Sequence, residues 1–469
     1  MHLASAINAA VPRRRFSTPR IVQIAMLGLA LLLPVLTWPQ AVGCALLALL
    51  FSLFILPRLD AGFGVVPDSR LPTPDSPPKG GATTAWMGIV TYSASVLLLI
   101  LLYRHSLYVA AAVWAIVALG DGLAGVAGQA LDGPALRYNA GKSWSGFATF
   151  VAAGTLGAYL LTMWVKWSPA SLGSRQVLLV SAATALVGAV VESLPAGVTR
   201  LDDNFTVPIV CGAFMFCAYL VERSALDSNL PYLGRRIILA VAINLAFALA
   251  ALALRTITRS GAIAGFLLGV MVYLGWGWKS FLLLLAFFVL GSAATRLGYN
   301  TKAARGIAER RGGARSWREA VANLLPGAFF SILVITTHHE RAFLVALVAA
   351  FAEAAGDTVS SEIGQWRSAR AYLITSFKPV QAGENGAVSL AGSLAGLAAA
   401  AAVVALGFAL GLCGIAGAAV ALGAAIAGNL LDSLLGATIE RRGLVSNGAV
   451  NFAGTGFAGA TALALLLSR

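Results

Sequence analysis

Uninterrupted apolar runs recur from Ile21–Thr37 to the C-terminal end of this 469-residue chain, and they limit its possible folds more than any motif does. A helical run of about 17–25 apolar residues matches the hydrocarbon core of a bilayer. Inside lipid only helices and closed barrels satisfy their own backbone hydrogen bonds, and barrel strands are short and alternate in polarity. With 59% hydrophobic and 11% charged residues and a mean hydropathy of +0.83, a soluble domain is excluded. The pattern predicts an all-α polytopic membrane protein of about 15 transmembrane helices. Three segments are expected: N-terminal helices and a Pro/Gly-rich linker over 1–84, one polytopic unit over 85–235 and a second over 236–469.

A formal charge of +14 raises nucleic acid as a partner, but the distribution of charge argues against one. With a cytoplasmic N-terminus and alternating helices, most of the 33 Lys and Arg fall in cytoplasmic segments, the positive-inside bias. The run from Arg296 to Arg318, with Lys302, Arg305, Arg310, Arg311 and Arg315, reads as a topology signal touching anionic lipid headgroups. The expected location is the bacterial inner membrane. Met1–Arg20 carries no acid and is followed at once by two apolar spans, so it reads as the flank of an uncleaved first helix. Cys44, Cys211, Cys217 and Cys413 have no C-x-x-C spacing and read as packing residues, and His338-His339 as solvated.

Carboxylates inside such spans are costly and mark functional sites. A-E-A-A-G-D-T-V-S-S-E-I-G, from Ala352 to Gly364, carries Glu353, Asp357 and Glu362. L-G-D-G-L-A-G-V-A-G, from Leu119 to Gly128, echoes it. Asp121, Gly125 and Gly128 share one helical face, as do Asp357, Ser361 and Gly364. Lys142 follows Asp121 by 21 residues, and Lys378 follows Asp357 by 21. K-S-W-S-G then ends at Gly146 and G-E-N-G at Gly386, and 46 residues beyond each lies another acid, Glu192 or Asp432. Loops bearing Asn204, or Asn447 and Asn451, follow. The order Asp, Lys, acid, Asn, occurring twice at an offset of about 240 residues, predicts two tandem repeats of the same orientation.

An acid at a Gly-rich helix end, a lysine one loop away and a second acid with Asn suit a metal–nucleotide. Acids and amide oxygens bind Mg²⁺, which takes one or two carboxylates plus phosphates. Asp121, Glu192, Asp357 and Asp432 are the expected metal ligands, with Lys142 and Lys378 neutralising phosphate charge. There is no Walker motif, so the site would be membrane-embedded, with its polar residues gathered at the cytoplasmic face.

G-D-G-L-A-G-V-A-G, G-K-S-W-S-G, V-E-S-L-P and L-D-D-N-F-T-V-P resemble the CTP-dependent polyprenol kinases, the phytol and dolichol kinase group, across about residues 85–225. The second half contains R-S-G-A-I-A-G, R-E-A-V-A-N, the Ala352–Gly364 stretch, G-E-N-G-A-V-S-L-A-G, G-N-L-L-D-S-L-L-G-A-T-I-E and N-G-A-V-N. Over roughly residues 240–469 it resembles the integral-membrane family that includes plastid phytyl-phosphate kinase. The resemblance implies a fusion of two kinases that phosphorylate an isoprenoid alcohol, phytol, geranylgeraniol or similar, to its monophosphate and then its diphosphate, using CTP or another NTP with Mg²⁺. It also implies catalytic roles for Asp121, Lys142, Glu192 and Asp203 in one unit and for Asp357, Lys378 and Asp432 in the other. Gly141, Ser143 and Asn204, and Gly383, Asn385 and Asn447, are the implied nucleotide or phosphate contacts. Glu384 and the extra Gly122 depart from the family patterns.

Competing readings remain at this stage. Asp121 and Asp357 could pair with a buried base for folding, Glu192 and Asp432 could sit in headgroup water, and each loop lysine could be a topology determinant. Trp144 reads as an interfacial anchor. Glu353, on the Asp357 face, is a second metal ligand or a packing partner. The rival classes are a secondary transporter, which would hold charges near the bilayer midplane, and a membrane cytidylyltransferase.

Overall fold

The computed structural model describes residues 26–56, 82–131, 133–165, 173–195, 201–368 and 370–467. Among these, twelve helices are long and apolar enough to cross a membrane, and Gly88–Leu102 and Asp203–Tyr219 are shorter apolar helices. Met1–Arg20, the linker Arg58–Gly81 and Arg200 lie outside the described residues. The chain divides into two compact units, one ending at Tyr219 and the other beginning at Leu220. The expected boundary at 235 falls inside a helix. Arg223–Ala253 is continuous, with Pro231 within it, so its first turns belong to the second unit.

In the N-terminal unit, α1 (Trp38–Leu50) opens with a capping box in which the Thr37 amide donates to Gln40 Oε1 at 2.8 Å. Next come α2 (Ala82–Leu102) and α3 (Leu107–Ala115), which continues through a π-turn, Ile116–Asp121, into α4 (Gly122–Ala130). The hairpin of β1 (Ala135–Leu136) and β2 (Asn139–Ser143) leads to α5 (Trp144–Trp164), α6 (Ser174–Glu192) and α7 (Asp203–Tyr219). The span Leu107–Gly128 is 72% buried and forms the axis of this unit. Small residues let neighbours close on it: a Cβ on Gly154 of α5 would stand 3.3 Å from the Ala185 Cβ and 3.7 and 3.8 Å from the side chain and backbone of Ile116.

The C-terminal unit consists of α8 (Arg223–Ala253), α9 (Arg259–Trp276), α10 (Trp278–Arg296), α11 (Tyr299–Ala304), α12 (Trp317–Thr336) and α13 (Glu340–Arg367). A small sheet follows, with β3 (Ala371–Leu373) between β4 (Pro379–Val380) and β5 (Ala387–Val388). The last elements are α14 (Leu390–Ala409), α15 (Ile415–Leu435) with its π-turn Gly436–Glu440, and α16 (Asn447–Leu467). Here α13 is the axis, 78% buried against 22% for α8. Gly392 and Gly396 of α14 let two backbones meet: a Cβ on Gly396 would stand 2.6 Å from the carbonyl of Gly356.

The basic run from Arg296 to Arg318 is not simply a headgroup contact. Lys302 is fully buried, and its ammonium donates to Glu362 and to the carbonyls of Ala294 (3.3 Å) and Thr295 (2.9 Å). Thr295 Oγ1 donates to the other Glu362 oxygen at 2.7 Å. Arg315 lies over the Phe287 ring at 5.1 Å. The reason for this correction is Glu362: a carboxylate buried on the central helix requires a cation, and the loop supplies it.

Candidate functional site

Each unit builds a polar cluster on its own axis. In the N-terminal unit the hairpin folds back onto the end of α6. Tyr138 Oη and Ser193 Oγ share a hydrogen bond of 2.9 Å, and Asn139 Nδ2 donates to the carbonyls of Ser193 (3.1 Å) and Leu194 (3.3 Å). That docking places Lys142 in contact with Glu192 and 3.7 Å from Asp203, within electrostatic reach of Asp121. Asp121 ends the π-turn, Glu192 ends α6 and Asp203 begins α7, so the four catalytic residues expected in this unit converge from four elements. Burial alone would pull the Lys142 ammonium down, but the acids, Glu192 first among them, outweigh it and hold it above the ordinary lysine range. Its pairing is therefore intact at neutral pH and is lost only as pH rises through that elevated value.

The site residues also hold one another in place. Glu192 is buried and paired with Lys142. Ser143 caps α5, accepting from the Gly146 amide at 3.1 Å, and the Gly141 amide donates to Asn139 Oδ1 at 3.1 Å. Asn204 donates from both its backbone and its side chain to Asp202 Oδ1, each at 2.9 Å. Asp202 Oδ2 in turn accepts from Thr91 at 2.7 Å. Asp202 thus organises the start of α7, a role that the run D-D-N gave no means of assigning to one Asp over the other.

In the C-terminal unit, α13, α15 and α16 face one another along a ladder of oxygens. Thr455 Oγ1 donates to Glu353 Oε2 at 2.7 Å. A Cβ on Gly454 would stand 2.6 Å from Glu353 Oε1 and 3.3 Å from Asp432 Cβ, so these two acids flank one bare glycine. One turn from Thr455 along α16 lies Asn451, and one turn further is Asn447, which hydrogen-bonds Glu440. The charges of Asp357, Glu353 and Glu440 all act on Asp432, and that of Glu440 acts on Asp357. Glu353 Oε1, Asp432 Oδ2, Asn451 Oδ1 and, on α12, Asn323 Oδ1 are buried and accept no hydrogen bond among the described residues.

Asp357, Asp432 and Asn447 thus come together as expected, but Lys378 does not join them. It is exposed on the β3–β4 turn, where its backbone carbonyl closes the turn by accepting from Leu373 at 3.0 Å. Asn385 is exposed as well, and Gly383 packs near Ile307. Glu384 reaches Arg441 at 3.1 Å, an exposed pair tying the G-E-N-G loop to the end of the π-turn. Gly386 lies against Gly436 and Ala437 with φ +73°, a left-handed backbone at a close approach. Gly386→Ala is expected to destabilise the C-terminal unit more than Glu384→Gln does, because only the alanine displaces the turn that carries Glu440. Thermal melting of both variants checks this.

The pairing of Gly146 with Gly386 also shifts. Ser389 caps α14 by accepting from the Gly392 amide at 3.2 Å, as Ser143 does for Gly146. Each serine hydroxyl also sits against a glycine of the axial helix, 2.9 Å from a Cβ on Gly128 and 3.1 Å from one on Gly364. Gly392, six residues after Gly386, is the counterpart of Gly146. Glu440, which closes its helix as Glu192 closes α6, then replaces Asp432 as the counterpart of Glu192. Sequence reasoning missed Glu440 because it stands before Arg441 and Arg442, where an acid reads as a surface charge. Its position at the end of an apolar run was the available signal.

The polarity does not stop at the helix ends. Glu353 is the midpoint of the 28-residue α13, about 20 Å from either end. Thr455 and the bare Gly428 and Gly454 accommodate this residue.

A polytopic helical protein whose most buried helices carry carboxylates is an integral membrane protein with an intramembrane polar site. The chain belongs to the integral membrane protein family DUF92, whose model matches residues 242–459. It is 36% identical over 198 residues to a membrane protein of Synechocystis sp., covering 42% of this chain and 77% of that protein. To the chloroplastic protein VTE6 of Arabidopsis thaliana it is 38% identical over 188 residues, 39% of this chain and 56% of that protein. To the probable phytol kinase 3, chloroplastic, of Glycine max it is 32% identical over 126 residues, 26% of this chain and 38% of that protein. No solved structure matches.

Proposed function

We propose that the chain is a membrane-embedded phosphotransferase. Its N-terminal unit would phosphorylate an isoprenoid alcohol such as phytol, and its C-terminal unit would extend the monophosphate to the diphosphate, with CTP or another NTP as donor. The observation that carries this reading is that each unit holds its own converged acidic cluster with the same serine cap and the same helix-ending glutamate. A relative named a probable phytol kinase supports the reaction class.

The fit of Mg²⁺ is tested by the unpaired oxygens of the second cluster. Buried acceptors without donors are costly, and hard oxygens suit Mg²⁺. Among the described residues no three His, Cys, Asp or Glu side chains are grouped so as to hold an ion. Mg²⁺ takes one or two carboxylates and completes its shell with waters and phosphates. Asp357 and Asp432 would hold it. When bound, the ion would neutralise phosphate charge during transfer. In the N-terminal unit Lys142 contributes positive charge directly, while Asp121 and Asp203 remain beside it to orient the acceptor hydroxyl. We place both sites toward the cytoplasm of a bacterial inner membrane.

The depth of Glu353 favours a second reading, a transporter with an intramembrane acid. Purified protein with CTP labelled at either the α- or the γ-phosphate separates the readings: γ-label on lipid supports the kinase, α-label on lipid a cytidylyltransferase, and transfer of neither the transporter.

A further inference from the structure

We propose that Glu353, Asp432 and Asn451 form a second, inner cation site of the C-terminal unit, taking a hard divalent cation of the Mg²⁺ or Mn²⁺ class. It deepens the kinase reading, on which the cation's part in transfer rests, although its binding does not. Glu353 is 1% exposed, and one of its oxygens is already fixed by Thr455 at 2.7 Å. Its other oxygen, with Asp432 Oδ2 and Asn451 Oδ1, is buried and accepts no hydrogen bond among the described residues. All three atoms are acceptors while the acids are ionised, and a shared cation is a partner that satisfies them together.

The surroundings suit an ion rather than a hydrogen-bond donor from a neighbouring side chain. Gly428 and Gly454 bring α15 and α16 against Glu353, where a Cβ on Gly428 would stand 2.8 Å from both Glu353 Cγ and the Gly454 carbonyl. Backbone oxygens therefore line the same niche. The basic residues of α13, Arg341 and Arg367, lie twelve residues before and fourteen residues beyond Glu353, at the two ends of the helix. Lys302 is committed to Glu362. Two carboxylates and an amide oxygen form a hard, all-oxygen set, which selects Mg²⁺ or Mn²⁺ over softer ions.

The test uses the full chain in detergent, depleted of metal and titrated with Mn²⁺ in the absence of nucleotide, with free Mn²⁺ read by electron paramagnetic resonance. Glu353→Gln should bind one Mn²⁺ fewer than the unsubstituted protein, and Asp357→Asn should keep that ion. Asn451→Asp should bind it more tightly, because added ligand charge tightens a cation site, whereas in a purely structural cluster a third buried charge would only destabilise the fold. Equal Mn²⁺ stoichiometry in the unsubstituted protein and a folded Glu353→Gln overturns the site. So does Asn451→Asp that melts lower and binds no more tightly, which decides the matter should Glu353→Gln fail to fold. A protein that binds this ion but transfers no phosphate from labelled CTP would overturn the kinase reading and leave the site standing.

Discussion

Asp357→Asn is expected to cut conversion of isoprenyl monophosphate to diphosphate by about 100-fold or more while alcohol phosphorylation persists, and Asp121→Asn to do the reverse. The expectation rests on where the two acids stand. Asp357 is on the axis of one unit, among Glu353, Asp432 and Glu440. Asp121 is on the axis of the other, in the field of Lys142. Both substitutions keep size and hydrogen-bonding capacity and remove only the charge. The measurement is a paired assay on each purified variant, with the alcohol and then the monophosphate as acceptor and γ-labelled CTP as donor. Loss of both activities in either variant would mean one composite site, and retention of both would remove these acids from the chemistry.

Lys302→Met is expected to destabilise the C-terminal unit by about 3–5 kcal/mol, the cost of leaving a buried carboxylate without its partner. Lys302 is 0% exposed, and its ammonium meets Glu362 and two carbonyls, while Thr295 holds the second Glu362 oxygen. The double variant Lys302→Met, Glu362→Leu should recover much of that loss, since an apolar pair of similar volume can replace a buried ion pair. Unfolding of both variants in mixed micelles checks this. A single variant as stable as the parent would mean that the loop is not anchored through Lys302.

Much of the first cluster was legible because it depends on local pattern. Asp121, Glu192 and Asp203 stand at ends of apolar runs, and an acid there is conspicuous against 59% hydrophobic composition. Lys142 was found by its spacing from Asp121, and the hairpin that delivers it is short enough for chain distance to approximate spatial distance. The same reasoning failed at Lys378. The corresponding loop is a three-stranded sheet, and its turn carries the lysine outward.

The sequence by itself determined the class of fold, the two polar units and the acids Asp121, Glu192, Asp357 and Asp432, because burying a charge in an apolar span is costly wherever the helix then packs. Only the tertiary structure decided the partners. It paired Glu192 with Lys142 and Glu362 with Lys302, turned Glu440 toward Asp432, and closed α13, α15 and α16 around Glu353. Helical periodicity shows which residues share a face of one helix. Which faces then meet depends on where small residues allow backbones to approach, and Gly356 against Gly396 and Gly454 against Glu353 are contacts between residues tens of positions apart in the chain.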